Sequence, residues 1–448
     1  MGRTVWPHYV ETTIEVSEEP LVLSARLAEA GPHGEFVVYE KNGLWSYAGG
    51  VLADVRLDRD GARLSGVLTA RLPWSDQPLE QVRKLLAMVP VRGWRAYGTA
   101  AFELSYAKDG DRQHVDDQPL LHLVVPKSEV RISSGQAQVR STDSDTLAVL
   151  VDLLTSPVDG REQTPVPLDV RRTGRDEYCA SVSGAVRDIA EARLQKVILS
   201  RVVEVDRDVD LVGTYVLGRQ RNTPARSFLL RMNGLEAAGF SPEIVVSVTE
   251  DGEVVSQPLA GTRALTSDAA TNSRLREELL ASEKEVYEHA ISVKVGNDEL
   301  LTVCDPESVG VRKLMTLEER GSVQHLASQV TGRLAAGFDA WDAFAAVFPA
   351  VTASGVSKEA AYTAIRRYET ERRGLYSGAV LTVEESGAMD AALVLRTVYR
   401  QDGRTWLRAG AGIVGQSQPD REFEETCEKL DSVARFLVAG EVKEEVSA

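Results

Sequence analysis

Short apolar segments recur in this chain at the spacing of β-hairpins, and this spacing is the feature that most constrains the fold. The first group of predicted strands covers residues 35–39, 44–47 and 51–57, and similar groups follow at residues 228–257 and 375–413. Asn42 and Gly43, a pair typical of tight hairpin turns, separate the first two strands. Strands joined in this way pair antiparallel. Because long helical patterns separate the groups, we predict an α+β fold with helices packed outside antiparallel sheets.

The remaining segments divide into predicted helices and one candidate linker. Helical patterns cover residues 79–88, 145–154, 177–191, 273–301, 323–335 and 340–348, and a last helix begins at Pro419 and runs to about residue 438. Residues 196–205 and 389–399 are predicted strands. Residues 155–175 are rich in proline and charge, so they are the strongest candidate for a linker.

The net charge and the cysteine content exclude several classes of protein. Lys and Arg number 51 against 67 Asp and Glu, so the formal net charge is −16, which argues against a nucleic-acid or anionic-membrane partner. No apolar run approaches the ~18 residues that span a bilayer. The 3 cysteines are far apart, so neither a disulfide framework nor a zinc site is indicated. We therefore expect a soluble, cytoplasmic protein.

Two pairs of glutamates on predicted helices are candidate metal ligands. Glu285 and Glu288 lie on one helix, and Glu422 and Glu425 lie on another. Residues three positions apart share a helix face. Two such faces that meet would offer oxygen ligands alone, which suits Mg²⁺. Because acidic residues are abundant, two solvated helix faces are the alternative explanation.

Lys196, Glu243 and Arg396 are ionisable residues in or beside apolar strands, where water solvates a charge poorly. A desolvated Lys196 could act as a general base, and burial would raise the pKa of Glu243 and suit it to act as a general acid. A lysine that guards a sheet edge and a glutamate that caps a turn are the alternatives. Arg396 lies within residues 391–399 and needs an acidic partner from the protein or from a ligand.

Two glycine-containing segments could hold an anion. Residues 258–263 combine Gly261 with a hydroxyl and a guanidinium group. Residues 410–415 match the pattern G-x-G-x-x-G, which is typical of dinucleotide sites when a βαβ unit surrounds it. Only one helix and a short tail follow here. An oxidoreductase that binds NADH is therefore an alternative that depends on this match alone.

Nine short strings, taken in their order along the chain, resemble those of the chorismate-utilising enzymes. This family includes anthranilate, aminodeoxychorismate, isochorismate and salicylate synthases. The matching strings are KVILSR at 196–201, GFSPE at 239–243, PLAGTR at 258–263, EVYEH at 285–289, RGSVQH at 320–325, FPAVTASG at 348–355, GLYSG at 374–378, RAGAG at 408–412 and EFEETCEK at 422–429. The resemblance implies a single compact fold of the aminodeoxychorismate-synthase type, with two large packed antiparallel sheets and helices outside. It implies that residues 176–448 form the chorismate-binding catalytic region and that residues 1–175 form the less sharply matched N-terminal part.

The resemblance also implies roles for individual residues. Lys196 aligns with the base that activates water for attack on C2 of chorismate, and Glu243 aligns with the acid that protonates the departing C4 hydroxyl. The implied Mg²⁺ ligands are Glu288 and Glu425 directly, and Glu285 and Glu422 through water. The implied substrate contacts are Gly261, Thr262, His325, Thr352, Tyr376, Leu395, Arg396, Gly410, Gly412 and Lys429.

Within the family, the chain is most similar to the salicylate synthases of siderophore pathways. Lys196 favours water over ammonia as the nucleophile, because anthranilate synthases carry glutamine there. Ala260 stands where common bacterial aminodeoxychorismate synthases carry a lysine. Four positions that are Ala, Leu, Phe and Ile in enzymes that make only isochorismate are here Thr352, Ala353, Tyr376 and Leu395.

The resemblance therefore implies an Mg²⁺-dependent salicylate synthase that converts chorismate through isochorismate to salicylate and pyruvate. It implies a monomer without a glutamine amidotransferase subunit. An isochorismate synthase that releases its product is the first alternative. A catalytically inactive chorismate-binding protein is another alternative, and the presence of both Lys196 and Glu243 argues against it.

Overall fold

Two large antiparallel sheets dominate the fold. The structure is a computed structural model, and it describes residues 6–157 and 163–440. The first sheet runs, in spatial order, through β1 (Val10–Glu15), β10 (Gln136–Ser141), β9 (Ser128–Ser133), β3 (Leu44–Gly49), β2 (Phe36–Lys41), β13 (Arg226–Met232), β14 (Leu235–Ser241), β23 (Thr397–Gln401), β24 (Arg404–Ile413), β11 (Lys196–Glu204) and β20 (Gly355–Val356). The second runs through β17 (Leu259–Ala264), β19 (Val323–Arg333), β16 (Glu253–Ser256), β15 (Ile244–Val248), β22 (Met389–Leu393), β21 (Ala379–Glu384), β7 (Arg95–Ala100), β8 (Leu121–Val125), β4 (Ala53–Asp58), β5 (Gly61–Gly66) and β6 (Ala70–Pro73), while β18 (Gly310–Arg320) pairs with β19. A small ribbon joins β12 (Val209–Asp210) to β25 (Val438–Ala439).

Helices cover the outer faces of both sheets. They are α1 (Pro20–Ala30), α2 (Pro78–Leu86), α3 (Leu104–Ala107), α4 (Ser144–Thr155), α5 (Arg175–Ala190), α6 (Leu211–Arg221), α7 (Ala269–Ala281), α8 (Glu283–Leu300), α9 (Ala340–Val347), α10 (Lys358–Tyr368) and α11 (Pro419–Ala434), with a short 3₁₀ helix at Pro306–Ser308. One apolar core lies between each sheet and its helices, and a third lies between the two sheets. This layered α+β arrangement is the fold predicted from the sequence. Among the described residues, none of the helices has the length and apolar character needed to cross a membrane.

The predicted hairpin at Asn42 and Gly43 is confirmed and illustrates how local sequence sets the sheet. Both residues have positive φ, at 52° and 78°, as the tightest hairpin turns require. They connect β2 to β3, which pair along their full length. The alternate side chains of β2 then face the two neighbouring cores, so that Val38 joins the outer core and Val37 joins the core between the sheets.

Strands from the early and late parts of the chain share both sheets. In the first sheet β2 pairs with β13, and in the second sheet β7 pairs with β21. The candidate linker is only partly described, because residues 158–162 lie outside the described ranges. Its described part is attached to the end of α11, since Val166 and Leu168 donate backbone hydrogen bonds to the carbonyls of Leu437 and Ala434 at 2.7 and 3.2 Å.

Two predicted helices differ from the structure. The helix predicted at residues 323–335 is wrong, because this segment forms strand β19, in which both faces are buried. A strand buried on both faces lacks polar alternation, so periodicity does not separate it from a buried helix. The single helix predicted at residues 273–301 is divided into α7 and α8 at Ser282, whose hydroxyl caps α8 by accepting a hydrogen bond from the backbone of Glu285.

The strand predicted at residues 389–399 is also divided, and the break places Arg396 outside either half. Residues 394–396 connect β22 to β23, and Arg396 itself has a φ of 51°. Non-glycine residues seldom adopt this left-handed conformation, and those that do cluster at functional sites. Arg396 therefore leaves the strand direction at the point where it enters the candidate site.

Candidate active site

One cavity gathers most of the residues predicted to form the site. Its lining includes Glu243, Gly261, Thr262, Glu288, His325, Thr352, Tyr376, Leu395, Arg396, Gly410, Gly412, Glu425 and Lys429. These residues come from β17, β19, β24, α8, α11 and the segments that connect their neighbours. The three predicted residues that do not line it are Lys196, Glu285 and Glu422. Glu285 and Glu422 line an adjoining, more open cleft.

Lys196 lies behind the cavity wall rather than in it. It is the first residue of β11 and is 0% exposed. Its Nζ donates to the Ser292 hydroxyl at 3.1 Å and pairs with Glu288 Oε1 at 3.0 Å. Because Glu288 does line the cavity, the lysine reaches the site through this carboxylate. A buried ammonium needs such a partner, since desolvation of an isolated charge is costly.

Glu243 places a buried carboxyl group in the lining of the cavity. It immediately precedes β15 and is 3% exposed. Burial raises its pKa to about 8, although the Thr352 hydroxyl, the backbone of Leu259 and the charge of Lys196 lower it in part. Thr352 Oγ1 donates to Glu243 Oε1 at 2.5 Å. The carboxyl group is therefore largely protonated at neutral pH and can donate a proton.

Arg396 brings a buried positive charge into the cavity. Its guanidinium donates to the carbonyl of Arg320 at 2.9 Å and to Nε2 of His325. Within residues 6–157 and 163–440, none of its hydrogen bonds or ion pairs is to a carboxylate. Burial, and then the charge of Arg320, lower the pKa of Arg396 to about 9. A buried cation without an acidic partner favours an anionic ligand.

His325 supports Arg396 in its neutral form. Burial and the neighbouring guanidinium hold the pKa of His325 well below its usual range. A guanidinium only donates hydrogen bonds, so Nε2 of His325 must accept and its proton must lie on Nδ1. Nδ1 then donates to the hydroxyl of Thr262, 3.0 Å away. The imidazole thus orients Arg396 on one side and Thr262 on the other.

The two predicted glutamate pairs do meet, where α8 faces α11. Each carboxylate has a basic partner: Glu285 pairs with Arg263 at 2.9 Å, Glu288 with Lys196 at 3.0 Å, Glu422 with Lys284 at 2.8 Å and Glu425 with Lys429 at 2.8 Å. Burial raises the pKa of Glu285 and Glu422, and the charge of Glu425 raises both further. Although Glu425 is also buried, Lys429 and Lys284 hold its pKa well below the usual range. The four carboxylates therefore repel one another, and cations relieve the repulsion.

The donor set fits a hard divalent cation. The side chains involved offer oxygen alone, which Mg²⁺ prefers. Glu422 Oε2 is buried and accepts no hydrogen bond from any described residue, so it has an unused lone pair where a metal-bound water would donate. Among the described residues, no group of three or more His, Cys, Asp and Glu side chains is arranged to hold a metal ion as it stands. Lysines neutralise these carboxylates in the structure.

Glycines let this carboxylate cluster approach the backbone. A Cβ atom at Gly412 would lie 2.2 Å from Glu288 Oε1, so any other residue there would displace this carboxylate. Gly261 has a φ of +83° and sits at a register shift between β17 and β19, from which Thr262 donates its N–H to Glu285 at 3.2 Å. Gly412 lies in β24, which pairs antiparallel with β11, so the glycine pattern at 410–415 does not belong to a parallel βαβ unit.

Comparison with known families assigns this cavity to one of them. A family model described as chorismate binding enzyme matches residues 37–435. The chain belongs to the chorismate-binding enzymes. The region matched contains every residue that lines the cavity and the strands of both large sheets other than β1 and the first residue of β2.

Relatives among the chorismate-binding enzymes cover most of the chain. A salicylate synthase of Mycolicibacterium paratuberculosis is 42% identical over 436 residues, which are 97% of this chain and 95% of that protein. Anthranilate synthase component 1 of Haloferax volcanii is 38% identical over 60% of this chain and 53% of its own length. Anthranilate synthase component I of Streptococcus pneumoniae aligns with a TM-score of 0.74 and 25% identity over 88% of this chain and 92% of that chain. A menaquinone-specific isochorismate synthase of Escherichia coli aligns with a TM-score of 0.74 over 96% of this chain and 95% of that chain. Its sequence identity is 19%, so this likeness supports the fold alone.

Several residues of this chorismate-binding enzyme escaped the sequence analysis although signals for them were present. Lys284 directly precedes Glu285 and pairs with the carboxylates of the cluster. Ser292 lies one helical turn after Glu288 and contacts Lys196. Arg408 begins the string RAGAG and lines the cavity. The signal in the sequence was a basic or hydroxyl side chain close to a residue that had been predicted to belong to the site.

Proposed function

We propose that this protein is a salicylate synthase that converts chorismate through isochorismate to salicylate and pyruvate. The observation that carries the proposal is the 42% identity to a salicylate synthase over 97% of the chain. The site geometry supports it, because the Glu243 carboxyl, whose pKa is raised, and the Arg396 guanidinium both line one cavity, and Lys196 lies behind its wall in an ion pair with Glu288, which also lines it. We propose that the enzyme acts as a single cytoplasmic chain, without an amidotransferase subunit, in a pathway such as siderophore synthesis.

In the first step, Lys196 acts as the general base and Glu243 as the general acid. In its neutral amine form Lys196 takes a proton from a water molecule and becomes an ammonium, and the resulting hydroxide attacks C2 of chorismate. Glu243 gives its proton to the C4 hydroxyl, which leaves as water. The pKa of Glu243 near 8 suits this role, because the group holds its proton at neutral pH and gives it up to a developing hydroxide.

In the second step, the hydrogen on C2 moves to the enolpyruvyl side chain as the C–O bond breaks, which releases pyruvate and leaves salicylate. This rearrangement needs no strong acid or base and depends on how the side chain is held over the ring. Arg396 and Tyr376 line the cavity and are suited to hold its carboxylate by charge-assisted hydrogen bonds.

Glu288 and Glu425 would hold Mg²⁺ directly, and Glu285 and Glu422 would hold it through water. When bound, Mg²⁺ would offset the charge of the ring carboxylate of the substrate. The crowding of the four carboxylates and the unused oxygen of Glu422 support this assignment. The lysines that now neutralise the cluster would have to give up part of their pairing.

An isochorismate synthase that releases its product is the second candidate. Both candidates share the first step, so the hydroxyl that Thr352 donates to Glu243 supports either of them. The identity of 42% over 97% of this chain is to a salicylate synthase. We therefore favour the enzyme that completes both steps.

Product analysis tests the proposal. The purified protein is incubated with chorismate and Mg²⁺, and the products are separated by chromatography with fluorescence detection of salicylate. Equal amounts of salicylate and pyruvate are expected. Isochorismate as the sole product would support the second candidate, and unchanged chorismate would contradict both.

A further inference from the structure

A buried cluster of charged residues behind Tyr376 has no part in the steps above. Glu369 directly follows α10, and its side chain is 3% exposed. Its Oε1 accepts hydrogen bonds from the backbone N–H and the hydroxyl of Ser200 at 2.8 and 2.9 Å. Arg373 donates to both carboxylate oxygens at 2.6 and 2.9 Å, and Arg408 donates to Oε2 at 2.7 Å. The carboxylate therefore holds five hydrogen bonds and fixes both arginines.

The two arginines tie this carboxylate to separate parts of the cavity wall. Arg373 Nη1 donates to the carbonyl of Ala353, and its Nη2 donates to the carbonyl of Ile198, both at 2.7 Å. Ile198, Ala353 and Arg408 itself all line the cavity. A change at Glu369 would therefore reach three parts of the wall together, without contact between Glu369 and the cavity.

Both guanidinium groups also flank the ring of Tyr376. The Cζ atoms of Arg408 and Arg373 lie 5.3 and 5.7 Å from the ring centroid, which is within the range of cation–π attraction. One carboxylate faces two guanidinium groups, so a net positive charge remains beside the ring. The Tyr376 hydroxyl lies 3.0 Å from the position that a Cβ atom at Gly410 would take, so it is directed at the backbone of β24 that lines the cavity.

We infer that Glu369 is a positioning residue that acts through Arg373 and Arg408 to fix Tyr376 for the pyruvate-eliminating step. The inference rests on the proposed function, because it assigns a role within the second half-reaction. The first half-reaction depends on Lys196 and Glu243, whereas the second depends chiefly on geometry. Loss of the Glu369 charge therefore slows the second step more than the first, and isochorismate accumulates.

The variant Glu369→Gln tests this inference. Glutamine keeps the size of the side chain but turns an NH₂ group toward one of the guanidinium groups, where both partners are donors. We expect the ratio of isochorismate to salicylate to rise by about tenfold or more, while the KM for chorismate changes by less than about threefold. Glu369→Asp keeps the charge and should restore part of the lost salicylate formation.

Glu40→Gln is the matched control for general damage to a buried ion pair. Glu40 is also buried, and it accepts two hydrogen bonds from Arg219 at 2.6 and 2.7 Å and one from Ser227 at 2.5 Å. None of these three residues lines the cavity. The control variant should lose thermal stability and keep the wild-type product ratio. An equal rise of the ratio in both variants would overturn the inference.

Two further variants keep the test decisive when Glu369→Gln does not fold. Ser200→Ala removes only the hydroxyl that bonds Glu369 and Arg408, and it should shift the product ratio in the same direction by a smaller factor. The second is the Tyr376→Phe background. There, Glu369→Gln and Ser200→Ala should each change the product ratio less than they do in the wild type, because the tyrosine hydroxyl that Arg373 and Arg408 position is absent.

Two failures are distinguishable in these experiments. A wild-type enzyme that makes no salicylate contradicts the proposed function and this inference together. A wild-type enzyme that makes salicylate, with a product ratio unchanged in Glu369→Gln and Ser200→Ala, contradicts the positioning role alone.

Discussion

Two walls of the cavity differ in how their charges are satisfied. On the side of α8 and α11, Glu288 and Glu425 line the cavity and Glu285 and Glu422 lie behind them in the adjoining cleft, and each of the four has a lysine or arginine partner within 3.0 Å. On the wall that carries Arg396, the guanidinium contacts a carbonyl oxygen and a neutral histidine. The first wall, with the glutamates behind it, is rich in carboxylates that lysines and an arginine pair with, whereas the cation of the second has no ion pair with a carboxylate among the described residues.

This difference indicates how a substrate with two carboxylates would be oriented. A carboxylate cannot approach the glutamate wall unless a cation stands between them. The wall of Arg396 attracts a carboxylate directly. We therefore expect the ring carboxylate of chorismate on the glutamate side and the enolpyruvyl carboxylate on the arginine side. The predictions below test the two walls separately.

The largest effect is expected from Lys196→Gln, which removes the proposed base behind the glutamate wall. Loss of a general base lowers kcat by about 10² to 10⁴-fold, so formation of isochorismate and salicylate should both fall by that factor in a steady-state assay. Lys358→Gln is the control, because Lys358, whose side chain is 12% exposed, also forms an ion pair, with Glu299 at 2.5 Å, outside the cavity. Wild-type turnover of Lys196→Gln would contradict the assignment of the base.

Glu243→Gln should lose most of its activity, up to the factor expected for Lys196→Gln, and at neutral pH it should be more stable than the wild type. The folded-state pKa of Glu243, about 8, is raised above its ordinary value of 4.5. The associated stability is therefore fully present below pH 4.5 and is lost as the pH rises through 8. Between pH 5.5 and 8.5 the wild type should lose about 3 kcal/mol of unfolding free energy that the variant keeps. Urea unfolding of both proteins across this range measures the difference, and parallel curves would contradict the raised pKa.

Glu425→Gln tests the cation expected at the glutamate wall. The Mg²⁺ concentration at half-maximal activity should rise by about 10- to 100-fold, because even outer partners of a metal site affect affinity by this much. Glu424→Gln is the control from the neighbouring position, where the side chain is exposed and pairs with Arg171. A titration midpoint that moves equally in both variants, or in neither, would remove the metal assignment.

The smallest effect is expected from Thr352→Ala, which removes a single hydrogen bond to Glu243. That bond lowers the pKa of Glu243, so its loss should move the alkaline limb of the pH–rate profile to higher pH and slow the first step by about fivefold. Thr352→Ser keeps the hydroxyl and should retain the wild-type profile. If the alkaline limb of the pH–rate profile does not move in Thr352→Ala, the limb does not arise from the titration of Glu243.

The local patterns of the chain predicted much of the site, because chemistry and spacing coincide there. Glu285 and Glu288, spaced by three residues, had to share a helix face, and in the structure the charge of Glu425 in α11 is close enough to raise the pKa of Glu285. Glu243, placed by sequence before an apolar strand, is buried as expected. These predictions needed only periodicity and the resemblance of ordered motifs.

Long-range pairings could not be predicted in this way. Lys196 of β11 and Glu288 of α8 form an ion pair, and no local signal links two residues 92 positions apart. The backbone of Arg396 adopts a positive φ because of its surroundings, whereas its sequence is that of a strand. Strand β19 resembled a helix because both of its faces are buried. In each case, tertiary packing overrides the local preference.

The interleaving of early and late strands has a consequence for biosynthesis on the ribosome. β2 cannot pair with β13 until residue 226 and those that follow it have been synthesised. β24, which carries Gly410 and Gly412, pairs with β11 only after more than 400 residues have been synthesised. Contacts between such distant segments form slowly, and unpaired strand edges are prone to aggregate. The cavity therefore cannot assemble until β24 and α11 have been synthesised. A fragment that begins at residue 176 would expose the edges of β13 and β21, so we expect it to require chaperones or to precipitate.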